Sequence, residues 1–391
     1  MNLARVLFVG GLIAAAPLRA VYAPLPEQEQ NKAWTATLRA GVTHDSNIFG
    51  SAAGAIDSLV YEAAPKVAFS GSLDDRTFAE FSYGLTVDHF VDRPGDKTLV
   101  SHGLAARLAH AFSAATSLDV SEDYQFAKNP ESLLAGVPVN TDQSYQRNEL
   151  DGRFTTAPLP KFGATAKVRS VLFRYDNDAL ARSLDRLENL YGLSGSYDVL
   201  PGTKAVAEYR HEDIYYRKAG EAKNKRTDFA LVGLDYAVAR KLSLSGRVGN
   251  SWRHRSAERS AGTPYAELSA KYDYARGSYA AFGYAYTYEE TSNVFLYNDT
   301  KVNRLFLNVR HALSALIAAS ASVDYEPSQL QGRRGIADVD ETTTRAGLAL
   351  TWSPTLHWAA SATWDYDHVD SDDPGRTQDR NRYGVNVAYS F

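Results

Sequence analysis

The sequence contains no cysteine and only one methionine in 391 residues. The absence of cysteine excludes disulfide bonds and thiolate metal sites, and it suits an oxidising cell envelope. Beyond the signal-like first 20 residues, the chain lacks an apolar run of the roughly 18 residues that a membrane-spanning helix requires. The net charge is only −4 and no basic run occurs, which argues against a nucleic-acid partner. Aromatic residues are abundant instead, with 24 Tyr and 16 Phe.

The N-terminal segment has the pattern of a secretory signal peptide. Arg5 supplies a positive charge, residues 6–16 form an apolar core, and Val21-Tyr22-Ala23 offers small residues for cleavage. An anchor helix is the alternative, but the apolar core is too short to span a membrane. We therefore predict a signal peptide over residues 1–23, a short periplasmic tail over 24–32, and an outer-membrane barrel over 33–391.

From Trp34 onward, apolar and polar residues alternate. In one clear segment, Ala266, Leu268, Ala270, Tyr272 and Tyr274 alternate with Glu267, Ser269, Lys271 and Asp273. A period of two predicts strands with one apolar and one polar face. Such segments number about 18, with 16 as the alternative count, and each has roughly ten or more residues, which is enough to cross a bilayer.

The connections between these segments alternate in length. Asp74-Asp75 and Pro201-Gly202 are short, whereas residues 217–226 and 326–340 form long polar connections. This alternation is typical of an outer-membrane barrel with short periplasmic turns and long external loops. The predicted fold class is therefore all-β, a transmembrane antiparallel up-and-down β-barrel. An even strand count places both termini in the periplasm.

The last segment alternates up to the C-terminal residue. Its apolar positions are Tyr383, Val385, Val387, Tyr389 and Phe391. It resembles the terminal strand that outer-membrane barrels present to their assembly machinery, with Tyr389 and Phe391 as the terminal assembly signal. A soluble edge strand that happens to end in Phe is the alternative.

The polar face of the predicted strands must line a lumen, because 18 strands enclose an aqueous channel. Early strands place an acidic wall there, formed by Glu62, Glu80, Asp88, Asp119 and Asp123. Later strands place a basic wall there, formed by Arg247, Arg253, Arg255, Lys271, Arg304, Arg310 and Arg345. Opposed walls would set a transverse field that orients polar solutes. The alternative is that these residues form ion pairs that brace neighbouring strands.

The longest predicted loop covers residues 127–144. Leu133, Leu134, Val137 and Pro138 make it apolar for a segment exposed to solvent. We predict it as a constriction loop that folds into the lumen, with capping of the mouth or contact with a partner as alternatives.

Catalytic and metal-binding patterns are missing from the sequence. The nine His residues show no metal-ligand spacing, and neither Gly-x-Ser-x-Gly nor a phosphate-binding loop occurs. We expect no enzyme activity, no metal and no cofactor, although a barrel-borne hydrolase remains an alternative because its partners would be distant in sequence.

The first predicted strand ends in GVTHDSNIF, residues 41–49. Asp45, Ser46 and Asn47 suit a strand end because their side chains cap backbone groups. Cation binding through Asp45 and Asn47 is the alternative.

With a signal peptide before it and a terminal Phe after it, this DSNIF stretch resembles the putative β-barrel porin type 2 family of Gram-negative outer membranes. The resemblance covers nearly all of the mature chain, although only the motif and the terminal strand are specific. It implies a role in export of a surface polysaccharide, with export proteins as partners.

The sequence thus predicts a porin-like channel in the cell outer membrane that passes hydrophilic solutes through a charged lumen. The alternative is a structural or adhesion barrel with a plugged lumen and functional external loops. Expected partners are outer-membrane lipid, lipopolysaccharide and the barrel assembly machinery.

Overall fold

The computed structural model describes residues 33–127, 144–218, 223–238, 241–255, 261–289, 296–333, 335–373 and 375–391. The predicted signal peptide and periplasmic tail lie outside these ranges. In the described part of the chain, no helix is both long enough and apolar enough to cross a membrane.

Eighteen strands and one short helix make up the described elements. They are β1 Trp34–Asp45, β2 Ser58–Ser72, β3 Thr77–Phe90, β4 Thr98–Ser113, β5 Thr116–Ala127, β6 Tyr145–Leu159, β7 Phe162–Tyr175, α1 Asp178–Leu184, β8 Arg186–Leu200, β9 Thr203–Tyr216, β10 Lys225–Val238, β11 Leu242–Arg255, β12 Ala261–Ala275, β13 Ser278–Glu289, β14 Tyr297–Ala312, β15 Ile317–Gly332, β16 Val339–Trp352, β17 Trp358–Ser371 and β18 Gln378–Ser390.

The strands form one closed barrel. Each strand pairs antiparallel with the next along the chain, and β18 pairs with β1 from Thr37 opposite Ser390 to Asp45 opposite Arg382. Closure leaves no unpaired sheet edge, so every strand has hydrogen-bonding neighbours on both sides. The predicted fold class and the count of 18 are confirmed.

The connections divide the barrel into two ends. At the short-turn end, connections such as 114–115 and 201–202 are two residues long. Gly202 has a φ of +76° there, a conformation that a residue with a side chain rarely adopts. At the long-loop end, the connections include residues 46–57, 91–97 and 176–185. The predicted alternation of short and long connections is therefore present.

The outer surface is apolar along alternate positions of most strands. Leu38 and Val42 of β1, Leu234 of β10 and Val385 of β18 are among the large apolar side chains that remain exposed. In a soluble protein such a surface would be an association site, but it is the surface that a barrel presents to lipid. The closed barrel and its apolar exterior belong in an outer membrane, as predicted.

Aromatic side chains gather near the ends of several strands on this outer surface. Trp352 and Trp358 flank the short turn at Pro354, and the Trp358 ring packs 4.8 Å from Tyr389. Toward the long-loop end, the rings of Trp364, Tyr366 and His368 stack in one column. Amphipathic rings prefer the zone between lipid tails and water, which explains these positions.

Candidate functional site in the barrel interior

The inner face of the barrel is identified by contacts that reach across several strands. Lys167 of β7 binds Glu208 of β9 at 3.1 Å, and Arg210 of β9 binds Glu267 of β12 at 2.8 Å. Side chains that span two or three strands in this way lie on the concave side of a curved sheet. Because paired residues face the same side, the strand register extends this assignment to the rest of the barrel.

The register puts the predicted acidic-wall residues on the inner face, where cations pair with several of them. Glu62 binds Arg39 at 2.9 Å. Asp119 receives two hydrogen bonds from Arg107, at 3.0 and 3.1 Å. Arg39 and Arg107 were missed as members of this wall, although both occupy polar positions of alternating strands.

The register also puts the predicted basic-wall residues on the inner face, and most of them bind carboxylates. Arg247 binds Asp235 at 2.8 Å, and Arg304 binds Glu289 at 2.9 Å. Further pairs are Arg253–Asp299 at 2.5 Å, Arg255–Asp299 at 2.8 Å and Lys271–Asp273 at 3.2 Å; Arg310 lies opposite Tyr279, and Arg345 opposite Asp324. These contacts favour the bracing alternative, while an effect of the walls on solutes stays a prediction.

A charged network in the centre of the inner face was not predicted. The Glu208 carboxylate is 1% exposed and contacts Lys167 at 3.1 Å, Arg210 at 2.9 Å and Arg247 at 3.5 Å. Arg210 continues to Glu267, whose second oxygen accepts a hydrogen bond from the Tyr265 hydroxyl at 2.6 Å. The network joins β7, β9, β11 and β12. Alternation indicates that each member faces inward, but only the register shows that they meet.

Space for this network comes partly from an inner-face glycine. Gly233 of β10 lies opposite Arg247, and a Cβ there would lie 2.7 Å from Cδ of Arg247 and 1.9 Å from the Gly246 carbonyl oxygen. An alanine at residue 233 would collide with the Gly246 carbonyl and also with the Arg247 side chain. The Arg247 side chain can therefore lie along the wall because residue 233 has no side chain.

The connection between β1 and β2 folds into the long-loop end of the barrel. Ile48 is completely buried and packs against Val60, Phe90 and Leu99, which come from β2, β3 and β4. These three side chains occupy inner-face positions, since Leu99 pairs with the inner-face residue Asp88, two positions before Phe90, and Phe90 pairs with Val60. Residues 46–57 therefore cover part of the mouth from within.

Asn47 fixes this connection through its side chain. Its amide nitrogen donates to the Ser51 and Asp379 carbonyls at 2.9 and 3.2 Å, and its amide oxygen accepts from the Ser51 N–H at 2.9 Å. The Asn47 N–H donates to Asp45 at 3.0 Å, while Arg380 binds the same carboxylate. The structure thus agrees with the capping interpretation of DSNIF and leaves the Asp45 carboxylate engaged by a guanidinium, which disfavours cation binding.

A second element, helix α1, folds into the mouth beside β6 and β7. Asn177 caps the helix by accepting hydrogen bonds from the Ala179 and Leu180 N–H groups. Leu180, Ala181 and Leu184 are buried against Tyr175, with Tyr145 and Phe173 beside them. The sequence carries a signal that was overlooked: a capping Asn followed by apolar residues at helical spacing.

The predicted constriction loop with Leu133, Leu134, Val137 and Pro138 lies outside the described residues, so that prediction stays open. The elements that enter the mouth in the described structure are instead the 46–57 connection and α1. Both place apolar side chains against inner-face residues, which is the behaviour expected of a narrowing loop.

The C-terminal residues lie at the short-turn end of the barrel seam. The Phe391 N–H donates to the Ala36 carbonyl at 2.9 Å, and the Phe391 ring is 61% exposed beside Tyr389 at 4.7 Å. The aromatic pair faces outward from the barrel wall. Recognition of this pair by assembly machinery stays a prediction.

Among the described residues, no group of three or more His, Asp and Glu side chains could hold a metal ion. Two outward-facing His–Asp pairs have similar surroundings. His211 and Tyr209 both bind Asp228, at 2.8 and 2.5 Å, and His368 and Tyr366 both bind Asp379, at 2.8 Å each. A hydrolase triad would require a Ser or comparable nucleophile on the His, whereas His211 uses its other nitrogen to bind Asp213 at 3.1 Å.

Comparison with known proteins shows the fold. No protein-family model matches the chain, and no curated protein matches it. The solved structure of a BenF-like porin from Pseudomonas fluorescens Pf-5 has 13% sequence identity and a TM-score of 0.50, covering 92% of this chain and 99% of that chain. OccK2 (OpdF) from Pseudomonas aeruginosa has 13% identity and a TM-score of 0.49, covering 92% of this chain and 98% of that chain.

At 13% identity, the likeness to the BenF-like porin shows the fold alone, and it agrees with the closed barrel of 18 strands described above. The resemblance to the porin type 2 family is matched by no family model and stays a prediction.

Proposed function

We propose that this chain is a porin-like channel that carries small hydrophilic solutes through its lumen. The observation that carries the proposal is the contrast between the two faces of the closed barrel. The outer face is apolar, whereas the inner face carries charged side chains on strands around the whole circumference. A barrel of 16–18 strands is wide enough for an aqueous channel, and charged walls keep such a channel wet.

The two inserted elements support a narrow channel in place of a wide pore. Ile48 and helix α1 occupy inner-face space at the long-loop end, next to β2–β4 and β6–β7 respectively. Both elements take up part of the cross-section of the lumen at its long-loop end. The passage is therefore suited to small solutes, and its ionised wall residues would tune which of them pass.

Liposome swelling tests this proposal. Vesicles that contain the refolded protein are diluted into isosmotic solutions of neutral sugars of increasing size. We expect swelling with small sugars and a rate that falls steeply as the sugar grows. Vesicles that never swell, although the protein shows the heat-dependent gel shift of a folded barrel, would contradict a channel.

Charge reversal tests whether the basic wall acts on solutes. Replacing Arg304 and Arg310 by Glu should shift the preference between cations and anions toward cations, because four units of charge change on one wall. An unchanged preference in the folded variant would mean that these residues only brace neighbouring strands.

The second candidate is a structural or adhesion barrel whose lumen is plugged. The same inserted elements favour it, because Ile48 and α1 would be parts of a plug. The swelling measurement separates the two candidates, since a plugged barrel passes no sugar. Neither the predicted polysaccharide export nor a barrel-borne hydrolase has a supporting contact among the described residues, and we do not propose them.

A further inference from the structure

In three ion pairs of the inner face, the acid and the base are unequally exposed to the lumen. In the pair between β10 and β11, the Asp235 side chain is 40% exposed and the Arg247 side chain is 9% exposed. The pair between β13 and β14 shows the same difference, with Glu289 at 41% and Arg304 at 15%. Between β5 and β6, Asp123 is 42% exposed and Arg147 is 16% exposed. In all three pairs, the carboxylate faces water and the guanidinium lies against the wall.

Each of these arginines is held at the wall by additional acceptors. Arg247 donates to both oxygens of Asp235 and to the Gly246 carbonyl at 2.9 Å, and it lies 3.5 Å from the buried Glu208. A planar guanidinium with several donors can satisfy two carboxylates at once. Its second partner therefore draws it away from the lumen.

The other two arginines follow the same rule. Arg304 binds both Glu289 and the more buried Glu326. Arg147 binds the buried Glu149 and lies 5.7 Å from the centre of the Phe173 ring. In each case, a buried carboxylate takes one side of the guanidinium and leaves the exposed carboxylate as the group that reaches furthest into water.

Two lysine pairs on the inner face have carboxylates of similar exposure. Lys271 and Asp273 are 52% and 43% exposed, and Lys204 and Asp198 are 55% and 48% exposed, so these pairs show no clear bias. Lys66 and Glu80, on neighbouring strands β2 and β3, are both exposed and form no ion pair within the described structure. The pair between β17 and β18 has the opposite order, with Arg382 at 26% and Asp367 at 8% exposed, so the outward position of the carboxylate is a property of the three pairs described above and not of every inner-face pair.

We infer that the lumen selects cations, and that the hydrophilic solutes it passes best carry positive charge. The inference rests on the proposed channel function. Each of these three arginine pairs is a dipole with its negative end toward the water, and the low-dielectric walls of a barrel concentrate that field in the lumen. A passing cation meets the carboxylates of Asp123, Asp235 and Glu289 before it meets any of their arginines.

The reversal potential of the channel in a KCl gradient tests the inference. The refolded protein is inserted into a planar bilayer, with tenfold more KCl on one side than on the other. We expect the wild type to pass K⁺ over Cl⁻ by at least about twofold, because the field of the exposed carboxylates falls on the permeating ion. The variant Asp123→Asn/Asp235→Asn/Glu289→Gln should lose this preference or pass Cl⁻ better.

A matched control removes a carboxylate from the outer face. Asp379 is 64% exposed beside His368 on the lipid-facing side, so Asp379→Asn changes the charge outside the lumen. This control should keep the wild-type reversal potential. A gel shift on heating shows for every variant that the barrel has folded.

The possible outcomes separate the inference from the function on which it rests. Open channels that prefer Cl⁻, or a triple variant with the wild-type preference, would overturn cation selection and leave the channel function standing. A folded wild-type protein that never conducts would contradict the channel function itself. A wild-type preference for K⁺ that the triple variant loses and the Asp379→Asn control keeps supports both cation selection and the channel function.

Discussion

Asp45 and Arg380 form an ion pair across the seam between the first and the last strands. Nε of Arg380 lies 2.9 Å from the Asp45 carboxylate, and the two side chains are only 5% and 3% exposed. Asp45 also accepts the N–H of Asn47, which places the start of the inserted 46–57 connection. The Asp45 carboxylate thus contacts both Arg380 on the last strand, where the barrel closes, and Asn47 in the connection that narrows the mouth.

Removing one partner of this pair should destabilise the barrel strongly. Arg380→Met leaves the Asp45 carboxylate buried without its cation, which costs about 3–5 kcal/mol. The free energy of unfolding in urea, measured in lipid vesicles, checks this value. Arg226→Met is the matched control, because Arg226 is 66% exposed and an exposed pair contributes about 0–1 kcal/mol. Equal losses in the two variants would mean that the seam pair has no special role.

Displacing Ile48 should widen the channel. Ile48→Asp puts a charge into the apolar contact with Val60, Phe90 and Leu99, so residues 46–57 should leave the interior. We expect a larger single-channel conductance than in the wild type. Ile336→Asp is the control, because Ile336 is 42% exposed and the same substitution buries no charge. A conductance that stays unchanged in Ile48→Asp would show that the 46–57 connection does not limit the ion path.

Helix α1 should detach from the barrel wall more readily when one of its buried side chains is shortened. Leu184 is 3% exposed, and Leu184→Ala should weaken the packing of α1 on Tyr175 by about 2–5 kcal/mol. Trypsin cleavage after Arg182 reports this opening, and we expect it to be faster than in the wild type. Ser183→Ala at the neighbouring, less buried position should cleave at the wild-type rate. Equal rates in all three proteins would contradict packing of α1 in the mouth.

The short turn between β2 and β3 should lose stability in acid through Asp74. The Asp74 carboxylate accepts the Arg76 N–H at 2.7 Å and the Thr77 hydroxyl at 2.9 Å. The first of these bonds is the main reason why the pKa of Asp74 lies below its usual value. A lowered folded-state pKa stabilises the fold above the unfolded value of about 3.9, and the stabilisation disappears as the pH falls through the folded value.

The melting temperature of Asp74→Asn should therefore lie below that of the wild type at pH 7, and the difference should vanish well below pH 4. Asp75→Asn, one residue further along the same turn, should melt with the wild type at both pH values. A difference for Asp74→Asn that persists unchanged in acid would contradict the role of the carboxylate.

The barrel could be predicted well from the sequence because alternation along a strand assigns each residue to the inner or the outer face. Successive side chains point to opposite sides, so a polar residue such as Asp119 or Arg304 faces inward once its strand is recognised. The strand count and the start of the first strand at Trp34 follow from this rule, and β1 extends over Trp34–Asp45.

The contacts within the lumen could not be predicted in the same way. Arg210 and Glu267 are 57 residues apart and meet because of the register of β9 to β12. The expected separation into an acidic and a basic wall overlooked Arg39 and Arg107, which pair with members of the acidic wall. A sequence gives the face of each residue, whereas the partner depends on tilt and register.

Single-channel conductance of the refolded protein in a planar bilayer tests the central claim most directly. A channel through an 18-stranded barrel should produce discrete open steps in salt alone, and added small hydrophilic solutes, cationic ones most strongly, should interrupt the current. A bilayer that stays sealed while the inserted protein is folded would contradict the channel and would assign Ile48 and α1 to a permanent plug.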